Sequence, residues 1–494
     1  MDRTRNSRSG SDLQISEATS RRTFLGGAAA GGIAGALGLG FAPELALAQA
    51  PKARGGRYLI KNAVVLTLDP KLGDFDRADV LIEGRKIAAV RPDIKANATV
   101  INGANTIVMP GFVDTHHHFY QSALRNVLPN GILADYFRDI VNKATPFYRA
   151  EDAYIGVLSG ALRSISAGIT YVTDLSQVSN SPEHSDAMVK AFKDSGIRAI
   201  YAYQRGYGKA AKYPQDIERI QKQHFPSNDG LVTLGMATGI NKQQWEIARR
   251  MGLRNFTHVV GAVRQVAPAA VMKLGDEGLM GNNNVYIHFT GATAEQMKRV
   301  KDTGGWLSIA CPIEMAMRHG TPPLQLALDH GIRPSLSSDV ETTMAADMFS
   351  QMRAVFTLQR VQLNERAIKG EKDLPALLTA KDVVGLATIE GARANGQESR
   401  TGSLTPGKDA DIVMLRTDQL NVMPLNDAYG AIVTGMDTSN VDTVMVAGRI
   451  LKSRGRMVGV NLSAHRRRIA ASRDYLVGKT GWPKSVTDTS LPGH

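Results

Sequence analysis

Eight short apolar segments recur through the middle of this 494-residue chain, with amphipathic helical stretches in the gaps, and that alternation constrains the fold more than any other feature. They run roughly from Gly111 to His118, Ile169 to Leu175, Ile197 to Tyr203, Leu231 to Thr238, Asn255 to Val260, Asn284 to Phe289, Trp306 to Ala310 and Pro334 to Asp339. Repeated β-α units of about thirty residues build a parallel sheet, and eight of them match a closed (β/α)8 barrel. Such a barrel carries its active site at the C-terminal ends of the strands.

The barrel is flanked by β-rich runs. Tyr58 to Leu68 and Val80 to Val90 are broken by turn residues at Asp69-Pro70 and Glu83-Gly84. A matching set returns at Asp411 to Leu415 and Val441 to Leu451, around the turn Ala447-Gly448-Arg449. The expected α/β architecture is therefore a (β/α)8 barrel over 109–399 and a discontinuous β-sandwich from 57–108 and 400–455. A C-terminal helix and tail follow over 456–494.

A hydrophobic fraction of 43% with 21% charged residues is that of an ordinary globular protein. The net charge of +13 points to nucleic acid only where basic residues cluster among aromatics, and they do not. The one dense run, Arg466, Arg467 and Arg468, reads as a solvated helix face. Cys311 is the single cysteine, which excludes an intrachain disulfide and cysteine-based metal sites. Any metal must be held by histidine and carboxylate.

Residues 1–48 read as an export signal. Arg21 and Arg22 precede Phe24 and Leu25, an Ala/Gly-rich apolar stretch follows to about Phe41, and Ala46-Leu47-Ala48 offers a small-x-small cleavage site. The paired arginines resemble a twin-arginine signal, which implies a periplasmic or extracellular protein with no stable membrane span after processing. Cleavage removes five arginines and four acidic residues, so the basic balance belongs to the mature chain.

The chemistry starts where the first barrel segment turns polar at its tip, His116-His117-His118. Strand side chains alternate faces, so His116 and His118 point one way and His117 the other. Two imidazoles on one face at a barrel mouth form a bidentate metal grip. His258 and His288 end two later segments about one β-α unit apart, where a strand histidine serves either as a ligand or as a hydrogen-bonded rim residue. Asp339 ends the eighth segment, facing the first in a closed barrel; the competing role is capping a helix expected near Thr342 to Ala345. Three neutral nitrogens and one carboxylate suit Zn²⁺ or Fe²⁺.

These residues resemble the amidohydrolase superfamily, in particular its cytosine-deaminase-like and triazine-hydrolase-like branch. The resemblance rests on Pro-Gly-Phe-Val-Asp-Thr-His-His-His at 110–118, on His258, His288 and Asp339, and on the runs at 386–393 and 402–413. It implies one divalent metal on His116, His118, His258 and Asp339, with Asp339 taking the proton of the attacking water and His288 polarising the scissile group. Barrels of this family commonly pair, which allows a homodimer or higher oligomer. Two departures stand out. The proton-shuttling Glu that many deaminases of the branch place three residues after the fifth-strand histidine is Gly261 here, and no Lys ends the fourth strand to bridge a second metal. Glu314 offers a substitute shuttle from beyond the seventh strand, unless it pairs with Arg318. Gln121, Arg125 and His184 lie on loops that line a pocket at the barrel mouth and are candidate substrate contacts.

The reading that follows is a metal-dependent hydrolase of a carbon–nitrogen, non-peptide bond in a small cyclic amide, amidine or related molecule. The alternatives are a heterocycle deaminase or chlorohydrolase that uses Glu314, and a non-catalytic exported binding protein on a hydrolase fold.

Overall fold

A computed structural model of the chain describes residues 56–261 and 266–487; the export segment at 1–48 lies outside them. The chain opens with β1 (Arg57–Val65), β2 (Phe75–Glu83), β3 (Lys86–Arg91), β4 (Thr99–Asn102) and β5 (Thr106–Pro110). Eight strands follow with intervening helices: β6 (Phe112–His117), β7 (Ile169–Ser176), β8 (Arg198–Tyr203), β9 (Val232–Thr238), β10 (Asn255–Val259), β11 (Asn284–His288), β12 (Trp306–Ile309) and β13 (Ser335–Leu336). The last strands are β14 (Ile412–Arg416), β15 (Val441–Val446), β16 (Arg449–Ser453) and β17 (Arg456–Met457).

Strands β6 to β13 pair in sequence order, all parallel. The ring closes just past β13, where Asp339 N–H donates to the His116 carbonyl at 3.0 Å and His118 N–H donates to the Asp339 carbonyl at 2.9 Å. Thr115 reinforces the seam through the hydroxyls of Ser308 and Ser335, at 2.7 and 2.9 Å. The eight expected segments thus coincide with the eight barrel strands.

Alternation along these strands sends one set of side chains inward. Val113, Tyr171, Ile200, Phe256, Val285 and Ile287 fill the barrel as one buried cluster. Each such large apolar side chain removed from water contributes about 1.5–3 kcal/mol. A larger cluster lies outside the strands, under the helices.

The two ends of the chain meet in a second, nine-stranded sheet ordered β17-β16-β15-β14-β5-β1-β2-β3, with β4 on β1. Its join is β14 antiparallel to β5, and Ile412 opposite Pro110 leads directly into the first barrel strand. Arg198, at the start of β8, ties the sheet to the barrel: buried, it donates to Asp411 and Asp409, each at 2.7 Å. The C-terminal helix Leu462–Thr480 leaves Arg466, Arg467 and Arg468 exposed, as expected for a solvated face. No helix among the described residues is long and apolar enough to cross a membrane.

Candidate metal centre

Strict alternation from Val113, which packs inside the barrel, would turn His116 and His118 away from its axis. The pairing of β6 with β7 corrects this. From Asp114 opposite Val172 it passes to His117 opposite Asp174, three steps on β6 against two on β7. That extra residue is a bulge, which re-aims the strand tip as bulges beside active sites do. His116 and His118 then share one carboxylate: their Nε2 atoms lie 2.9 and 3.7 Å from Asp339 Oδ1. His117 is turned into a separate polar web, with Nδ1 2.8 Å from Ser338 Oγ and 3.5 Å from Asp114 Oδ2.

His258 needs no such device. It keeps the parity of inward-facing Phe256, and its ring centroid lies 4.8 Å from that of His116 and 5.4 Å from that of His118. His288 has the parity of outward-facing Tyr286, yet it reaches the site because its backbone is left-handed, with φ +69°. Asp339 is also left-handed, with φ +60°. Such conformations cost about 1–3 kcal/mol in a non-glycine residue and are held by the surrounding structure at functional sites. Asp339 caps no helix: Asp347 caps the long helix Met348–Ile368 by accepting from Ser350 N–H.

Ligand atoms of His116, His118 and Asp339 all fall within 4.8 Å of one another, as do those of His116, His258 and His288. Burial pushes His116 down, and burial with the neighbouring His116 charge pushes His118 down to about 3. Burial likewise drives His258 well below the usual imidazole range. All three are neutral at neutral pH, the state in which imidazole binds metal. Burial opposes ionisation of Asp339, but His116, His288 and His118 outweigh it and hold the carboxyl well below its ordinary value. Three neutral imidazoles around an ionised carboxylate fit a divalent cation of the zinc or iron type.

Glu314 reaches this cluster and does not pair with Arg318. Fully buried, it accepts from His288 Nδ1 at 3.0 Å and from Ala310 N–H at 2.8 Å through Oε1, while Oε2 has no protein partner. Burial opposes protonation of His288, but the Glu314 bond and the Asp339 charge raise it; burial raises Glu314 in turn. The remaining expected contacts are engaged elsewhere. Gln121 donates to Tyr136 and Tyr120, at 2.6 and 3.0 Å. Arg125 pairs with Glu341 at 3.0 Å, and His184 is held by Ser181 and the Tyr148 carbonyl at 2.8 and 2.9 Å. Of the four, only Glu314 makes a described bond to the histidine cluster.

Gly261 is glycine for a steric reason. A Cβ there would sit 2.3 Å from the Thr290 carbonyl oxygen, and Gly291 crosses at 3.2 Å. Strand β9 contains no lysine, and Lys242 beyond it pairs with Glu277 at 2.7 Å. Sequence reasoning missed His319, which is buried with its ring centroid 4.7 Å from that of His288. It follows the short helix Cys311–Ala316 instead of ending a strand, so the strand-end rule passed over it.

Known proteins share the sequence pattern and the fold of this chain. The chain is 26% identical to a 5'-deoxyadenosine deaminase of Methanosarcina mazei, over 80% of this chain and 92% of that protein. It is also 26% identical to a 5-methylthioadenosine/S-adenosylhomocysteine deaminase of Carboxydothermus hydrogenoformans, with the same coverage. A zinc-bound adenosine deaminase from Xanthomonas campestris has a similar fold, with TM-score 0.76 and 20% identity over 85% of this chain and 98% of that one. A point mutant of an atrazine chlorohydrolase from Arthrobacter aurescens, in complex with zinc and atraton, gives TM-score 0.75 and 20% identity over 84% of this chain and 100% of that one. The amidohydrolase family model matches residues 107–243 and 254–451, a span that takes in β5 from its second residue, every barrel strand and the returning strands β14 and β15. The chain belongs to the amidohydrolase family.

Proposed function

We propose that this enzyme hydrolyses a carbon–nitrogen bond, other than a peptide bond, in a small cyclic amide, amidine or related heterocycle, with one divalent ion on His116, His118, His258 and Asp339. The observation that carries the reading is the convergence of those side chains, buried except for the half-buried His258, at one barrel mouth, with His288 and Glu314 beside them. Zn²⁺ is the preferred ion, since the donor set suits it and two proteins of similar fold hold zinc; Fe²⁺ is the alternative.

A cation in that set supplies Lewis acidity, which lowers the pKa of water and polarises the bond under attack. The chain's own groups do the rest. Asp339 is ionised and accepts the proton of the attacking water. Its Oδ2 lies 3.6 Å from His288 Nε2, next to an imidazole that can carry the proton onward. Glu314 fixes that imidazole by accepting from Nδ1, which leaves Nε2 facing the reacting centre. Oxygen joins the carbon, the carbon–nitrogen bond breaks, and the nitrogen departs with a proton.

A second reading, release of ammonia or chloride from an aromatic heterocycle, is favoured by Glu314 itself. Its Oε2 is buried without a protein partner, and this carboxyl is the candidate proton donor where position 261 carries no side chain. One experiment separates the two: metal-replete protein on a panel of cyclic amides, amidines, aminated heterocycles and chlorinated heterocycles. Ring opening that is retained in Glu314→Gln, whose amide oxygen still accepts from His288 Nδ1, supports the first reading. Ammonia or chloride release abolished by Glu314→Gln supports the second, and no metal-dependent turnover on any member contradicts both. Export through residues 1–48 belongs to the same proposal and rests on the sequence of that segment. Arg21→Lys with Arg22→Lys should retain the protein in the cytoplasm on fractionation; unchanged export contradicts it.

A further inference from the structure

Buried polar atoms in folded proteins are paired, and an exception requires an explanation. His319 is such an exception. Its residue is 3% exposed, yet neither Nδ1 nor Nε2 has a hydrogen-bond partner in the protein. The ring stands edge-on to His288, and its ligand atom lies within 4.8 Å of those of His288 and Asp339, so it faces the reacting centre. The backbone keeps it there. His319 N–H donates to the Glu314 carbonyl at 2.9 Å, and Thr290 Oγ1 donates to the His319 carbonyl at 2.6 Å. The same Thr290 bars any side chain at Gly261.

We propose that His319 is a substrate-orienting residue: its ring hydrogen-bonds an uncharged polar edge of the substrate, a carbonyl or a ring nitrogen, beside the carbon under attack. The proposal rests on the hydrolase reading above. The His319 ligand atom lies within 4.8 Å of that of the Asp339 carboxylate, a neighbour that favours an uncharged edge over a carboxylate or a phosphate. An unmet donor or acceptor at this depth is costly, and substrate removes that cost on binding. A site of this kind discriminates strongly against analogues that lack the matching group.

The test compares wild type with His319→Phe, which keeps a ring without nitrogens, His319→Ala and His319→Gln, all zinc-loaded, on the panel substrate that wild type turns over fastest. The expected result is kcat/KM lowered at least about tenfold in Phe and Ala, mainly through KM, with partial recovery in Gln. Zinc content and thermal midpoint should match wild type. Loss of zinc in Ala would make His319 a metal ligand and overturn the proposal. An unchanged KM in both Phe and Ala, or a midpoint that falls in both, would overturn it as well. A wild type that turns over nothing on the panel contradicts the hydrolase reading and takes this proposal with it. A working wild type with an unaffected Phe variant overturns this proposal alone.

Discussion

At Gly261 a missing side chain is enforced by a carbonyl oxygen. Even a methyl group would meet Thr290 O at 2.3 Å, so the loop after β10 and the loop after β11 pack backbone against backbone. Gly261→Ala is therefore expected to lower stability by roughly 1–3 kcal/mol, the cost of overpacking a tight contact, as measured by urea unfolding. A neutral result would show that the loops part easily, and that the site has room for a carboxylate on that side. The residues that ended apolar segments were readable from sequence because the pattern itself marks strand tips, and His116, His118, His258, His288 and Asp339 do meet. Chemistry reaching the site from a non-strand position left no such mark. His319 sits beyond a short helix, and its importance lies in two unpaired nitrogens that only the folded surroundings reveal.

At the scale of elements, the site depends on how β6 and β13 meet. Asp114 accepts from Ser338 N–H at 3.1 Å and from the Ser338 hydroxyl, and Ser338 Oγ in turn bonds His117. His117, the middle histidine, thus braces the seam while its two neighbours face the centre. Partners that orient ligands without touching the metal typically support affinity by 10- to 100-fold. Asp114→Ala should accordingly weaken zinc affinity by about that factor in a chelator competition, with the protein still folded. Undiminished affinity would show that the ligands hold their own positions. Strand existence and order were legible because eight apolar runs with helical gaps admit few topologies. The bulge in β6 and the left-handed turns at His288 and Asp339 were not, because alternation assumes regular backbone; without them His288 would point outward with Tyr286.

At the scale of the molecule, the β-sheet built from both chain ends is locked to the barrel by charge as well as by packing. Arg198 bridges Asp409 and Asp411, and Arg85 and Lys86 also pair with Asp409, at 2.8 and 2.9 Å. Removing the buried cation leaves Asp411 without its ion-pair partner, so Arg198→Met should cost about 3–5 kcal/mol in denaturant unfolding. A change within experimental error would show that Arg85 and Lys86 suffice. Burial raises Asp409, but Arg85, Lys86 and Arg198 outweigh it and bring its carboxyl below the ordinary value. A carboxylate depressed in the folded state stabilises above its unfolded pKa of about 3.9, and that stability is lost as pH falls through the folded value. Acid should therefore loosen this junction below about pH 4. That two distant stretches form one β unit was legible from their matching turns, whereas the Arg198 link was not, because nothing in a strand's first residue announces a partner 211 positions away.

The chemistry proposed for this enzyme requires one ion at one set of ligands. The measurement that tests it most directly is metal content by mass spectrometry of the purified chain, wild type beside His118→Ala and Asp339→Asn. Close to one equivalent of zinc or iron is expected in wild type and a large loss in both variants, with the variants still folded by circular dichroism. A wild type without stoichiometric metal, or variants that retain it in full, would contradict that requirement.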